Sequence, residues 1–278
     1  MATLPAQARA LLGSAQRRET RCGSGTIAWQ LWGAGPPVVL LHGGSGSWAH
    51  WLRNIPALVE AGHLVCVPDL PGFGASARPP GGDDADAVVE PLIAGLRELL
   101  PASAFDLVGF SFGSLVAALL AAQGAAQVRR LVLLGAPVLP LGTSRGVALR
   151  SWRHLPTQEL QDEAHRQNLA AIMLHRPASI DHTALAIHAA NVPNDRMPRR
   201  KLVTTDAMAR ALDQVTCPIW ALYGREDAVL RHTWSQVEAA WRRVPQLREL
   251  TTVPDSGHWV QFEEPGTVNA WLARVLRS

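Results

Sequence analysis

The chain has 278 residues, 47% of them hydrophobic, with three cysteines and a formal charge of +3. That is enough apolar material for one large α/β domain with an insertion. The odd and widely spaced Cys22, Cys66 and Cys217 indicate neither a disulfide framework nor a zinc site, and scattered arginines without a basic stripe of stacking aromatics argue against nucleic-acid binding.

Residues 1–13 lack the basic start and unbroken apolar run of a secretory signal. No stretch supplies the roughly 20 apolar residues of a membrane span, so a cytoplasmic location without membrane association is expected. Short runs rich in Val, Leu and Ile then predict strands over residues 26–32, 37–41, 64–68, 105–108, 128–134, 219–223 and 248–253. Helical patterns alternate with them at 86–100, 114–123, 233–243 and 265–276. Several strands are apolar at consecutive positions, as strands covered on both faces must be. The fold class expected is therefore α/β, a mainly parallel doubly wound sheet.

Beyond Pro137 the alternation stops until about Thr205, and the segment reads as helices broken by Pro156, Pro177, Pro193 and Pro198. We assign 138–205 to a helical cap inserted into a core made of 1–137 and 206–278. Such a cap would cover the C-terminal edge of the sheet, where ligands of these folds bind.

The chemistry centres on Gly109-Phe110-Ser111-Phe112-Gly113, which joins an apolar strand to an apolar helix. A G-x-S-x-G at that junction is a nucleophile turn. Its glycines allow a bend too sharp for side chains and place the serine in strained dihedrals. A serine hydroxyl needs a base, and the base needs an orienting carboxylate. Asp227 follows the 219–223 strand and His258 follows the 248–253 strand, giving the order Ser, Asp, His. Glu226 competes with Asp227 for the orienting role, and Asp255 is read as shaping the turn that bears His258. His42-Gly43-Gly44 follows the 37–41 strand. Backbone amides of Gly44 and Phe112 are assigned as oxyanion donors, and His42 as a brace for its loop. One of Phe110 and Phe112 should pack inward while the other lines the site.

In this order the motifs Leu41-His42-Gly43-Gly44, Asp69-Leu70-Pro71-Gly72-Phe73-Gly74-Ala75-Ser76, the Ser111 turn, Gly224-Arg225-Glu226-Asp227 and Gly257-His258-Trp259 resemble the landmarks of α/β-hydrolases. The resemblance spans nearly the whole chain and implies a Ser111–His258–Asp227 triad. Residues 42–48 and the His258-Trp259 pair also resemble the serine-dependent hydrolases that cleave carbon–carbon bonds in ring-fission (meta-cleavage) products. Those enzymes usually carry asparagine before the nucleophile, where this chain has Phe110. They also hold a substrate carboxylate with a cap arginine, where residues 186–191 offer His188, with Arg196 a turn or two later.

The resulting expectation is a carboxylesterase-like serine hydrolase that forms an acyl-enzyme from a small to medium, largely apolar ester. Carbon–carbon hydrolysis is the alternative, and a non-catalytic ligand-binding protein of the same fold is a third reading. Trp48, Phe110, Trp152, His188 and Trp259 are the pocket candidates. No metal spacing, dinucleotide fingerprint or phosphate loop occurs, so no cofactor is expected. The partner implied is a small-molecule substrate, and the oligomeric state, homodimer included, is open.

Overall fold

Consecutive apolar residues of one strand point to opposite faces of its sheet, so a run such as Pro37–Leu41 needs cover on both sides. The computed structural model, which describes residues 4–101, 103–123, 127–139, 149–197, 199–230 and 233–277, supplies it. Val39 and Leu41 join one buried cluster with Cys66, Leu107 and Leu115, while Val38 and Leu40 join another with Val67, Val108 and Trp271. Each such side chain contributes roughly 1.5–3 kcal/mol by leaving water.

The strands are β1 (Gln16–Cys22), β2 (Gly25–Trp32), β3 (Pro37–Leu41), β4 (Leu64–Pro68), β5 (Phe105–Phe110), β6 (Val128–Leu134), β7 (Ile219–Gly224) and β8 (Leu247–Val253). They form one sheet in the order β1-β2-β4-β3-β5-β6-β7-β8. β2 pairs antiparallel with β1 and with β4, and every pair from β4 to β8 is parallel. The α/β class and the mainly parallel doubly wound sheet expected from sequence are both present.

α1 (Ala6–Gly13), α2 (Ile55–Glu60), α9 (Val260–Glu263) and α10 (Pro265–Val275) carry residues of the second cluster. α3 (Ala85–Leu99), α4 (Phe112–Ala122), α7 (Ala207–Gln214) and α8 (Trp234–Trp241) carry residues of the first. Between β6 and α7 lie α5 (Gln158–Asn168), which runs into a π-helical turn Leu169–Met173, and α6 (His182–Asn191). Short 3₁₀ turns at Pro177–Ser179, Val192–Asn194 and Leu202–Thr204 complete the segment, and no strand occurs among its described residues. Residues 140–148 and Pro198 of the expected cap lie outside the described residues.

Two loops at the C-terminal ends of β3 and β4 are fixed by buried polar groups. Asp69, 4% exposed, accepts hydrogen bonds from the amides of Trp48 and Ala75. Burial raises its pKa, and those two amide donors oppose the rise. His42 is fully buried; its Nδ1–H donates to the Gly43 carbonyl at 2.8 Å and its Nε2 accepts from the Leu70 amide at 2.8 Å. The brace role assigned to His42 corresponds to this geometry.

Loss of water around His42 pushes its pKa down to about 4. An unfolded histidine takes up its proton near pH 6.5. Protons therefore favour the unfolded chain between these values, and His42 contributes full stability above pH 6.5 that is lost as pH falls towards 4. The expected loss is about 3 kcal/mol, and urea midpoints measured across this window check it. A midpoint independent of pH there would contradict the neutral, doubly bonded imidazole.

Candidate active site

The turn from β5 into α4 places Ser111 where a strand buried along its whole length meets a helix N-terminus. A Cβ at Gly113 would collide with the carbonyls of Leu41 and His42, which is why this crossing accepts only glycine. Ser111 has φ 53° and ψ −118°, a costly conformation held by its surroundings. Its amide donates to the Leu134 carbonyl at 2.8 Å, and its own carbonyl accepts from the Ser114 amide at 2.8 Å.

His258 Nε2 lies 2.8 Å from Ser111 Oγ, and its Nδ1 lies 2.6 Å from Asp227 Oδ2. A carboxylate only accepts, so Nδ1 carries the proton and Nε2 is free to accept from the serine hydroxyl. Asp227 is completely buried, and its other oxygen accepts from the Val229 amide at 2.9 Å. The structure thus brings together three residues from the ends of β5, β7 and β8. Glu226 does not compete: its amide bonds the Ser256 carbonyl, while Asp227 holds the imidazole. Arg225 lies over the Trp234 ring, 5.1 Å from its centre, rather than against Asp227. Asp255 occupies a turn with φ 50° and pairs with His175 at 3.3 Å.

Ser111 and His258 open into a cavity of about 600 Å³. Gly44 and Phe112 line it beside them. Phe112 is the first residue of α4, and the amides of a first helical turn have no partner within the helix, so they are available to a developing anion. Trp152 and His188 are also on the wall. Trp48, Phe110 and Trp259 are not, which corrects three of the pocket candidates. Trp48 packs against Trp32 with ring centres 5.6 Å apart, and Trp259 stacks on Phe262 at 4.2 Å while donating to the His50 carbonyl. Phe110 is fully buried beneath the His258 ring, 5.1 Å away, so of the two flanking phenylalanines it is Phe112 that faces the cavity.

Sequence reasoning missed several wall residues. Arg200 is one: its Nη1 donates to both oxygens of Asp195, at 2.6 and 2.8 Å, and Ser45 Oγ donates to Asp195 at 2.6 Å. A Cβ added to Gly44 would stand 3.4 Å from Arg200 Nε, so this guanidinium borders the loop of the assigned oxyanion donor. Its neighbour Arg196 turns away and donates to the Gly74 and Ser76 carbonyls. His50, 4% exposed, also borders the cavity. Burial, with His42, His188 and His258 nearby, keeps its pKa well below the ordinary value. No cluster of three His, Cys, Asp or Glu side chains suited to a metal occurs among the described residues. Among them, no helix is long and apolar enough to cross a membrane.

An alcohol bonded to an imidazole that is backed by a buried carboxylate is equipped to attack a carbonyl, and it faces a cavity large enough for a small organic substrate. The fold also has known counterparts. The sequence profile of the alpha/beta hydrolase fold matches residues 36–172. The 2-hydroxymuconate semialdehyde hydrolase of Pseudomonas sp. (strain CF600) is 32% identical over 83% of both chains. The 2-hydroxy-6-oxo-2,4-heptadienoate hydrolase of Pseudomonas putida F1 is 29% identical over 84% of this chain and 86% of that one. Among solved structures, a protein from Burkholderia cenocepacia classed provisionally as an aryl esterase superposes with a TM-score of 0.77 at 25% identity, covering 94% of this chain and 98% of its own. With sheet order, profile and relatives in accord, the chain belongs to the α/β hydrolase fold family, and within it resembles the meta-cleavage product hydrolases.

Proposed function

We propose that this hydrolase is serine-dependent and that it cleaves a carbon–carbon bond next to a ketone in a ring-fission product bearing a carboxylate. The contact that carries the serine mechanism is the 2.8 Å approach of His258 Nε2 to Ser111 Oγ. In this reading His258 Nε2 takes the proton of the substrate's enol hydroxyl and passes it to the carbon that will leave, which returns the imidazole to its neutral form. Ser111 Oγ then bonds to the ketone carbon as its proton passes to His258, and Asp227 stabilises the imidazolium. Amides of Gly44 and Phe112 hold the oxyanion, each donor worth about 3–4 kcal/mol. Collapse of the adduct breaks the carbon–carbon bond: its electron pair passes into the conjugated carbonyl of the leaving fragment, the resulting enolate takes the proton from the His258 imidazolium, and an acyl-serine beside a neutral imidazole remains. Water, deprotonated by His258, attacks that ester and frees the acid and Ser111. The segment 138–205 acts as the cap, supplying Trp152, His188 and Arg200 to the wall.

Two observations support this substrate class over a simple ester. The relatives quoted above are hydrolases of 2-hydroxymuconate semialdehyde and of 2-hydroxy-6-oxo-2,4-heptadienoate, both conjugated carboxylates that carry a second carbonyl. Arg200, whose Nη1 is taken by Asp195, keeps its Nε and Nη2 edge beside the Gly44 loop, and Arg150 and Arg153 stand on the same cavity wall. The second reading is an uncharged ester, favoured by the apolar wall of Phe112, Ile172, Met173, Val229 and Leu230 and by the Burkholderia neighbour.

The two readings separate when purified protein is given a coloured dienolate ring-fission product and an aryl acetate in parallel. Faster loss of the dienolate is expected, with Arg200→Gln raising its KM by about 10- to 100-fold, the value of one charged hydrogen bond. Turnover of the acetate alone, indifferent to Arg200, would establish the ester reading in its place.

A further inference from the structure

Glu263 closes α9, and its side chain is wholly buried. Its carboxylate lies between two stretches of backbone that are far apart in sequence. Oε2 accepts from the Gly257 amide at 2.7 Å and from the His175 amide at 3.0 Å, and Oε1 accepts from the Arg176 amide at 2.7 Å. Arg176 returns a bond from Nη2 to the Glu263 carbonyl at 2.8 Å, and its Nε stands 3.7 Å from Oε1. The two stretches also touch directly, since the Trp259 amide donates to the Met173 carbonyl at 2.7 Å. A Cβ on Gly257 would stand 2.7 Å from the His175 nitrogen, so the backbones meet with no side chain between them.

His258 sits between Gly257 and Trp259. Both of its chain neighbours are therefore tied to the segment 173–176, one through Glu263 and one through Met173. That segment continues the π-helical turn whose Ile172 and Met173 face the cavity. Burying a carboxylate is costly unless donors surround it; here three amides do, and an apolar side chain of the same volume would leave all three without that acceptor. What an apolar residue could not supply is a rigid joint among three amides.

We propose that Glu263 is a positioning residue: through Gly257 and the 173–176 segment it sets the place of His258 over Ser111 and makes the base and that cavity wall move as one body. The inference rests on the roles given above to Ser111 and His258. Glu263→Gln keeps the volume but turns an NH₂ group against an amide donor. Labelling of Ser111 by an ethyl fluorophosphonate reads the consequence. We expect the limiting labelling rate to fall by about 10- to 100-fold, the effect of misplacing a reacting group by around 1 Å, with the half-saturating reagent concentration unchanged within about twofold. A purely structural role would instead shrink the fraction of protein that labels and leave the rate of the remainder intact, and that result overturns the proposal.

Amide hydrogen exchange of the unmodified protein decides the matter where the variant fails to fold. Gly257, His175 and Arg176 should exchange through one common opening, with protection factors agreeing within about threefold. Cap amides that open about 100-fold faster than Gly257 would overturn it. Failure of the unmodified protein to take label at Ser111 would strike the proposed function, while exchange, which needs no reagent, would still decide whether the joint exists.

Discussion

Ser111→Ala should lower turnover of either substrate class by about 10⁴- to 10⁶-fold while the protein remains folded. The alanine methyl cannot bond to a carbonyl carbon, and His258 is left beside it with no proton to accept. The amides of Gly44 and Phe112 remain, so a residual acceleration over water, of order 10³-fold, should persist from binding and oxyanion stabilisation alone. The positive φ at position 111 is imposed by the β5–α4 crossing and not by the hydroxyl, so alanine inherits the strain and the melting temperature should stay within a few degrees. Steady-state rates with the dienolate and the aryl acetate, beside a thermal melt, check both halves. Undiminished turnover of a substrate that the unmodified protein cleaves would remove the serine mechanism.

The second large effect is expected at Asp227. Asparagine at this buried position can keep the bond from the Val229 amide, so the turn after β7 should hold. It would nevertheless present an NH₂ group to His258 Nδ1, which now carries a proton directed at Asp227 Oδ2. The imidazole would answer by moving its proton to Nε2, where it would donate to Ser111 instead of accepting from it. A base that has changed tautomer cannot deprotonate the nucleophile, and losses of about 10⁴-fold in kcat follow from such an exchange. Substrate binding needs no proton transfer, so KM should change far less than kcat. Comparable losses in both would mean that Asp227 shapes the cavity rather than the imidazole.

How far these positions could be read in advance depended on whether their chemistry leaves a local trace. Six strands showed themselves because burial on both faces demands largely apolar runs, and β8, an edge strand, showed itself although it buries only Val253. β1 did not, because an edge strand with sequence Gln-Arg-Arg-Glu-Thr-Arg-Cys buries only Thr20 and Cys22 and carries the charges that guard a sheet edge. Ser111, Asp227 and His258 stood out because each follows a strand whose end must meet the others at one rim. Arg200 gave no such signal: in Arg199-Arg200-Lys201 it is indistinguishable from a solvated basic cluster until Asp195 is seen to turn it inward. Aromatic character likewise could not separate Trp152, on the wall, from Trp48 and Trp259, which serve the packing beneath it. Tryptophan satisfies either environment, and only the neighbours decide.

The cavity wall has a divided origin. Ser111 and His258 hang from the rim of the sheet, whereas Trp152, Ile172, Met173, His188 and Arg200 come from a stretch that lends that sheet no strand among its described residues. Sequence change in that stretch can therefore accumulate without disturbing backbone pairing under the reacting atoms. Side chains there can reshape what the cavity admits while the rim beneath keeps its pairing, except at 173–176, whose backbone is joined to the neighbours of His258.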